Sequence, residues 1–186
     1  MKHKVNGFAR LLATGLFLCA GVNVLAMGSL PSISLLDSEF LHTVTEDEIA
    51  TFSTAEQTGS QWQQTVRLAH INPTEATDIT TAVAYVKSHE LKNGQIIRDY
   101  PGAGSGGNND HFLVGVTNGD GFLEFSARRI MRVNSEILQI VYLRREYGSG
   151  VGPTLSRWMQ ENGEALESQL LDIPVAIAED FLKKLR

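Results

Sequence analysis

At 186 residues the chain has room for one ordinary domain with its own core, and it is short for a doubly wound hydrolase. Its 21 Asp and Glu outnumber its 16 Lys and Arg, leaving a formal charge of −5, and that sign argues against nucleic acid and anionic membrane surfaces, both of which select a concentrated positive face. The one cysteine, Cys19, stands near the start, so the rest of the chain carries neither disulfide nor thiol chemistry.

Residues 1–26 read as a cleavable signal peptide. Lys2, Lys4 and Arg10 make a positive head, Leu11 to Ala20 an apolar stretch, and Val24-Leu25-Ala26 offers short side chains where a signal peptidase cuts. The apolar stretch falls short of the ~20 residues that cross a bilayer, so no stable membrane span is expected. Cys19 follows Phe17-Leu18 and lacks the small residue that precedes a lipoprotein cysteine, so no lipid anchor is expected either. The expectation is an exported protein, periplasmic or secreted after cleavage near Ala26. The lack of cysteine beyond that point fits bacterial export better than a small disulfide-stapled eukaryotic domain. Residues 27–186 then form a single domain with 13 basic and 21 acidic residues, a net charge of −8.

Residues 27–34 read as a flexible leader, since Gly28, Ser29, Pro31 and Ser32 offer nothing to a packed face. Thr45-Glu46-Asp47-Glu48 fits a capping box and predicts a short helix carrying Ile49 and Phe52. From Trp62 to His70 the period changes to two, with Val66, Leu68 and His70 alternating with Thr65, Arg67 and Ala69, which predicts a strand. Asn72-Pro73-Thr74-Glu75 is a second helix start, followed by Ile79, Ala82, Val83 and Val86 at helical spacing and a stop at Asn93-Gly94. Strands are predicted over 95–100 and 111–117, separated by a glycine-rich loop over 102–109, with a turn at Asn118-Gly119-Asp120-Gly121.

Two long strands flank Asn134-Ser135. A hairpin tip there puts Ala127, Met131 and Val133 on one face with Leu138, Ile140 and Tyr142, the expected core face. In that register Arg129 also falls on the core side, so it either snorkels at the sheet edge or marks a register off by one. Pro153 and Pro174 each open an amphipathic helix, the first striped by Leu155, Trp158, Met159, Leu166 and Leu170, the second by Ile177, Ala178, Phe181, Leu182 and Leu185. The expected fold is α+β: an antiparallel β-sheet packed against N-terminal and C-terminal helices in a single domain.

No motif for catalysis, metal or nucleotide stands out. The glycines at 102, 104, 106 and 107 run toward a strand rather than a helix and precede no lysine, which a phosphate loop requires. Ala103-Gly104-Ser105-Gly106-Gly107 is a variant hydrolase elbow with Asp110 and His111 nearby, but the helix that strains such a serine is missing. Asp110 and His111 are also chain neighbours on a strand and point to opposite faces. His42, His70, His89 and His111 are spread over separate elements and hold no metal spacing, and no cofactor is expected. The remaining signal is the basic hairpin. Arg128, Arg132 and Arg145 share one face with Ile137, Val141 and Leu143, a half-apolar, half-cationic surface suited to an acidic or amphipathic ligand. Against this stands ordinary pairing of those arginines with Glu124, Glu136 and Glu146, with their stems covering apolar surface.

The expected function is therefore a non-enzymatic exported protein that binds an unknown small molecule or an envelope or extracellular protein through Arg128, Arg132 and Arg145. The alternative is a small secreted hydrolase using Ser105 and His111.

Overall fold

The computed structural model describes residues 30–57, 61–72, 74–102 and 110–185. These form β1 (Ile33–Leu35), β2 (Ser38–Glu46), β3 (Ile49–Ser53), β4 (Gln64–Ile71), α1 (Ile79–His89), β5 (Gly94–Gly102), β6 (Asp110–Asn118), β7 (Phe122–Val133), β8 (Glu136–Tyr147), α2 (Val151–Asp172) and α3 (Val175–Leu185). The signal-peptide segment over 1–26 and the elbow residue Ser105 lie outside the described residues.

Every strand pairs antiparallel with its neighbours in the order β1-β2-β3-β4-β8-β7-β6-β5, so β1 and β5 are the edges. The eight-stranded sheet dominates the molecule and corrects the expected fold, since no helix stands at the N-terminal end of the described chain. Thr45–Glu48 is a hairpin instead of a capping box: Asp47 and Glu48 adopt φ of 48° and 62°, and Glu46 pairs directly with Ile49. A two-residue turn with both residues left-handed matches the right-handed twist of its flanking strands. Leu36 and Asp37, at φ 50° and 60°, turn β1 into β2 the same way. The flanking Phe40, Val44, Ile49 and Phe52 have the branched and aromatic side chains that favour strands. The leader expected over 27–34 is also partly core, because Leu30 and Ile33 are buried and Ile33 pairs with Phe40.

The first helix starts later than Asn72-Pro73 suggested. Asn72 Oδ1 accepts from the Thr74 N–H in a local turn, and α1 begins after Asp78, whose carboxylate accepts from the Thr81 N–H at 2.8 Å in a reciprocal capping box. Asn134, at φ 58°, makes the β7–β8 tip where expected, with Val133 opposite Glu136.

Pleating gives the sheet two faces. One carries Phe40, Phe52, Leu68, Ile140, Tyr142 and Met131 and packs against Leu155, Leu166 and Leu170 of α2 and Phe181 of α3. Trp158 of α2 stacks on Tyr142 with centroids 5.9 Å apart. Arg129 belongs to this face and is 0% exposed; the register is the expected one, and the arginine is held inside rather than at an edge. Its Nε donates to Asp110 Oδ2 at 2.7 Å and its Nη1 to the Ile173 carbonyl at 2.6 Å, which neutralises a charge the core could not otherwise hold. The opposite face is covered at the hairpin-tip end by α1, whose Ala82, Val83 and Val86 meet Ile71, Leu113, Ile130 and Ile137. Among the described residues, no helix is long and apolar enough to cross a membrane.

Candidate functional site

Beyond the end covered by α1, the second face stays open and carries Arg67, Glu124, Arg128 and Arg145 of the central strands. Strand pairing sets them in rows. Thr51 stands opposite Arg67, Arg67 opposite Val141, and Val141 opposite Arg128; in the next row Ile49, Ala69 and Gln139 follow one another. Glu124 and Arg145 face each other further along. Together with Glu90, the residue that caps α1 at its C-terminal end, these rows enclose a hollow of about 230 Å³ whose apolar lining is Ile49, Ala69, Val141 and Leu143.

Two of the cations at the hollow are matched. Arg128, only 5% exposed, pairs through Nη1 with Glu90, donates to Gln139 Oε1 at 2.9 Å, and lies close to a Gln139 Nε2–Glu90 Oε1 bond of 2.7 Å. This network places a positive charge against Glu90, which would otherwise sit unfavourably at the negative end of the helix dipole. Arg145 donates through Nε to Glu124 at 2.7 Å, and its guanidinium lies 3.9 Å from the centre of the Trp62 ring and 4.1 Å from that of Phe122. Arg67 differs: among the described residues no carboxylate lies within ion-pairing distance of it, and its nearest ring, Trp62, is 5.9 Å away. Burial lowers its pKa from the ordinary arginine value; Arg145 and Arg128 add to the fall, and Glu124 and Glu90 oppose it. Arg128 also keeps a buried Nε–H with no acceptor among the described residues.

The open face continues across β3 and β2 as an apolar surface. Leu41, Val44 and Ile49 are 44%, 40% and 36% exposed, and pairing with Ser53, Thr51 and Ala69 puts all three on the side of Arg67. Scattered exposed apolar residues are ordinary, but three adjoining ones beside a cation are not explained by packing.

Of the arginines singled out from the sequence, Arg128 lines the hollow and Arg145 borders it through Glu124. Arg132 shares their face but lies at the covered end, donating to the Thr77 carbonyl at 3.1 Å beside the start of α1. Ser105 lies outside the described residues. His111 Nε2 lies 2.7 Å from Asp99 Oδ1, while Asp110 points into the opposite face toward Arg129, as the alternation of a strand requires. Sequence reasoning missed Arg67, Glu90 and Gln139. Arg67 appeared only as a polar step in an alternating strand, and the signal that matters, its place beside Val141, comes from pairing between β4 and β8, far apart in the chain. A second hollow of about 310 Å³ lies between α2 and β5–β7, floored by Phe112, Val114 and Phe125; its rim cation Arg98 is already paired with Glu167.

No protein-family model matches the chain, and no curated protein does. Among solved structures it resembles a point mutant of protein Mog1, with a TM-score of 0.47 and 7% identity over 85% of this chain and 95% of that one. It also resembles the Saccharomyces cerevisiae Ran-binding protein Mog1p, with a TM-score of 0.45 and 6% identity over 86% of this chain and 95% of that one. These structures correct the function expected from the sequence: the shapes found are those of Mog1 and of a yeast Ran-binding protein, neither described as an exported bacterial protein or a hydrolase.

Proposed function

We propose that the protein is a non-catalytic domain that binds another protein across the open half of its sheet, using Leu41, Val44 and Ile49 as the apolar contact and Arg67 as the charged one. The observation that carries this is the continuity of exposed apolar side chains with a half-buried arginine that makes no ion pair among the described residues. Partner-binding surfaces combine an apolar centre with arginine anchors, and Arg gains most where its fork meets an acidic group shielded from water. The partner expected is therefore an apolar segment bearing acidic side chains. Ran, which the yeast protein is named for binding, is not transferred to this chain at 6% identity.

The test is photo-crosslinking in the producing cell with benzoylphenylalanine in place of Val44, against a control in place of Arg157, exposed on α2. A defined adduct at position 44, absent at 157 and lost on Arg67→Glu, supports the proposal. Equal adducts at both positions, no adduct at 44, or an adduct unaffected by Arg67→Glu defeats it.

A further inference from the structure

We infer that the hollow beneath Arg67 is a subsite for a single carboxylate, which the partner supplies as an acidic side chain or as its chain terminus. The inference deepens the docking proposal and rests on it for the source of the carboxylate, but it can fail separately.

The charge balance of the hollow points to a monoanion. Glu90 is taken by Arg128 and Gln139, and Glu124 by Arg145, so one guanidinium, that of Arg67, makes no ion pair among the described residues and feels Glu90 and Glu124 only at a distance. A cation held over Ile49, Ala69, Val141 and Leu143 has lost part of its hydration and regained no direct ion pair among the described residues, a state that an incoming carboxylate relieves. Guanidinium and carboxylate match as planar two-point partners, so Arg67 can take both oxygens of one group. A phosphate dianion fits less well, because its second charge would face Glu90 and Glu124 across the same small space. Arg128, which lines the same hollow, also keeps a buried Nε–H without an acceptor among the described residues, and its guanidinium adds to the positive potential there. The hollow's volume, about 230 Å³, is below that of a typical drug-sized ligand site and suits one small acidic group. The exposed Leu41, Val44 and Ile49 alongside would take the apolar residues next to that group.

The experiment follows the arginine Nε–H signals of the ¹⁵N-labelled protein at fixed pH and ionic strength. The probes are a leucine-glutamate-leucine tripeptide blocked at both ends, its glutamine counterpart blocked at both ends, the glutamine peptide with a free C-terminal carboxylate, and inorganic phosphate. A saturable shift of the Arg67 signal with either carboxylate peptide, at least about tenfold tighter than with the doubly blocked glutamine peptide, is expected from charge-assisted hydrogen bonds. Comparison of the first and third probes tells a side-chain source from a chain terminus. Arg67→Gln abolishes the difference, and Arg67→Lys, which keeps the charge but loses the fork, weakens it; unchanged backbone amide spectra show that both variants fold. Equal shifts with glutamate and doubly blocked glutamine peptides, no saturable shift, or tighter binding of phosphate than of either carboxylate overturns the subsite. Carboxylate binding without crosslinking at position 44 defeats the docking proposal and leaves the subsite standing. Crosslinking without carboxylate binding does the reverse.

Discussion

Arg129 and Asp110 show how a single pair of side chains can contradict its sequence context and still be native. Both lie almost fully inside the core, at 0% and 2% exposure, on strands whose neighbours are apolar. The charges persist because each neutralises the other and because Arg129 also reaches the Ile173 carbonyl where α2 gives way to α3. The pair ties the sheet to the end of α2, yet its net contribution is smaller than its bond lengths suggest, since desolvation offsets most of the attraction. Asp110→Ala alone is expected to destabilise the fold by about 3–5 kcal/mol, because it takes the paired carboxylate away from a buried guanidinium. The double variant Asp110→Leu with Arg129→Met is expected to regain most of that loss, and urea unfolding of the two variants beside the parent checks both statements. From the sequence, Arg129 was legible as a core position but not as an ion pair, because its partner lies on a strand whose register only the folded sheet fixes.

At the scale of elements, what was legible followed from local chemistry. The Asn134-Ser135 tip, the periodic stripes of α2 and α3, and the strands on either side of Asn118–Gly121 all carried turn residues or periods that few other conformations accept. The N-terminal hairpins failed to announce themselves because their turns use Leu36-Asp37 and Asp47-Glu48 in left-handed backbone, where the usual signal is Asn-Gly or Asp-Gly. An acidic cluster after a threonine resembles a capped helix start, and only pairing of Glu46 with Ile49 reveals the alternative. The second helix matched its expected stripe but carries Gly163 in its interior, where an added Cβ meets nothing within 4 Å. Gly163→Ala is therefore expected to stabilise the protein by about 0.5–1 kcal/mol through helix propensity and a less flexible unfolded chain. A raised urea midpoint with an unchanged slope confirms it, and a lowered midpoint refutes it.

Across the whole molecule, His70 joins two hairpins that are distant in sequence. Its Nδ1 lies 2.7 Å from Glu48 in the β2–β3 turn and its Nε2 2.9 Å from Glu136 at the β7–β8 tip. A neutral imidazole carries one N–H, so only the imidazolium can donate to both carboxylates. Burial opposes that charge, but hydrogen bonds and attraction from Glu48 and Glu136 outweigh it and raise the pKa above its ordinary value of 6.5. A folded-state pKa above the unfolded one gives stability that is fully present below about pH 6.5 and lost as pH rises through the folded value. The stability difference between the parent and His70→Gln is thus expected to shrink from pH 6 to pH 8.5, as measured by urea midpoints; a difference that grows with pH contradicts the bridge.

The periods, the strong turns, the central hairpin register and the face on which Arg128 and Arg145 lie were legible in the chain alone, because these depend on backbone preferences and spacing within a few residues. Long-range pairing settled the rest: residues 33–53 join the sheet, Glu90 and Glu124 occupy two of the arginines while Arg67 makes no ion pair among the described residues, and α1 covers one end of the face and leaves the other open. Those outcomes depend on strands pairing across long stretches of chain, and no local preference of Arg67 or Val44 encodes which residue will stand opposite it.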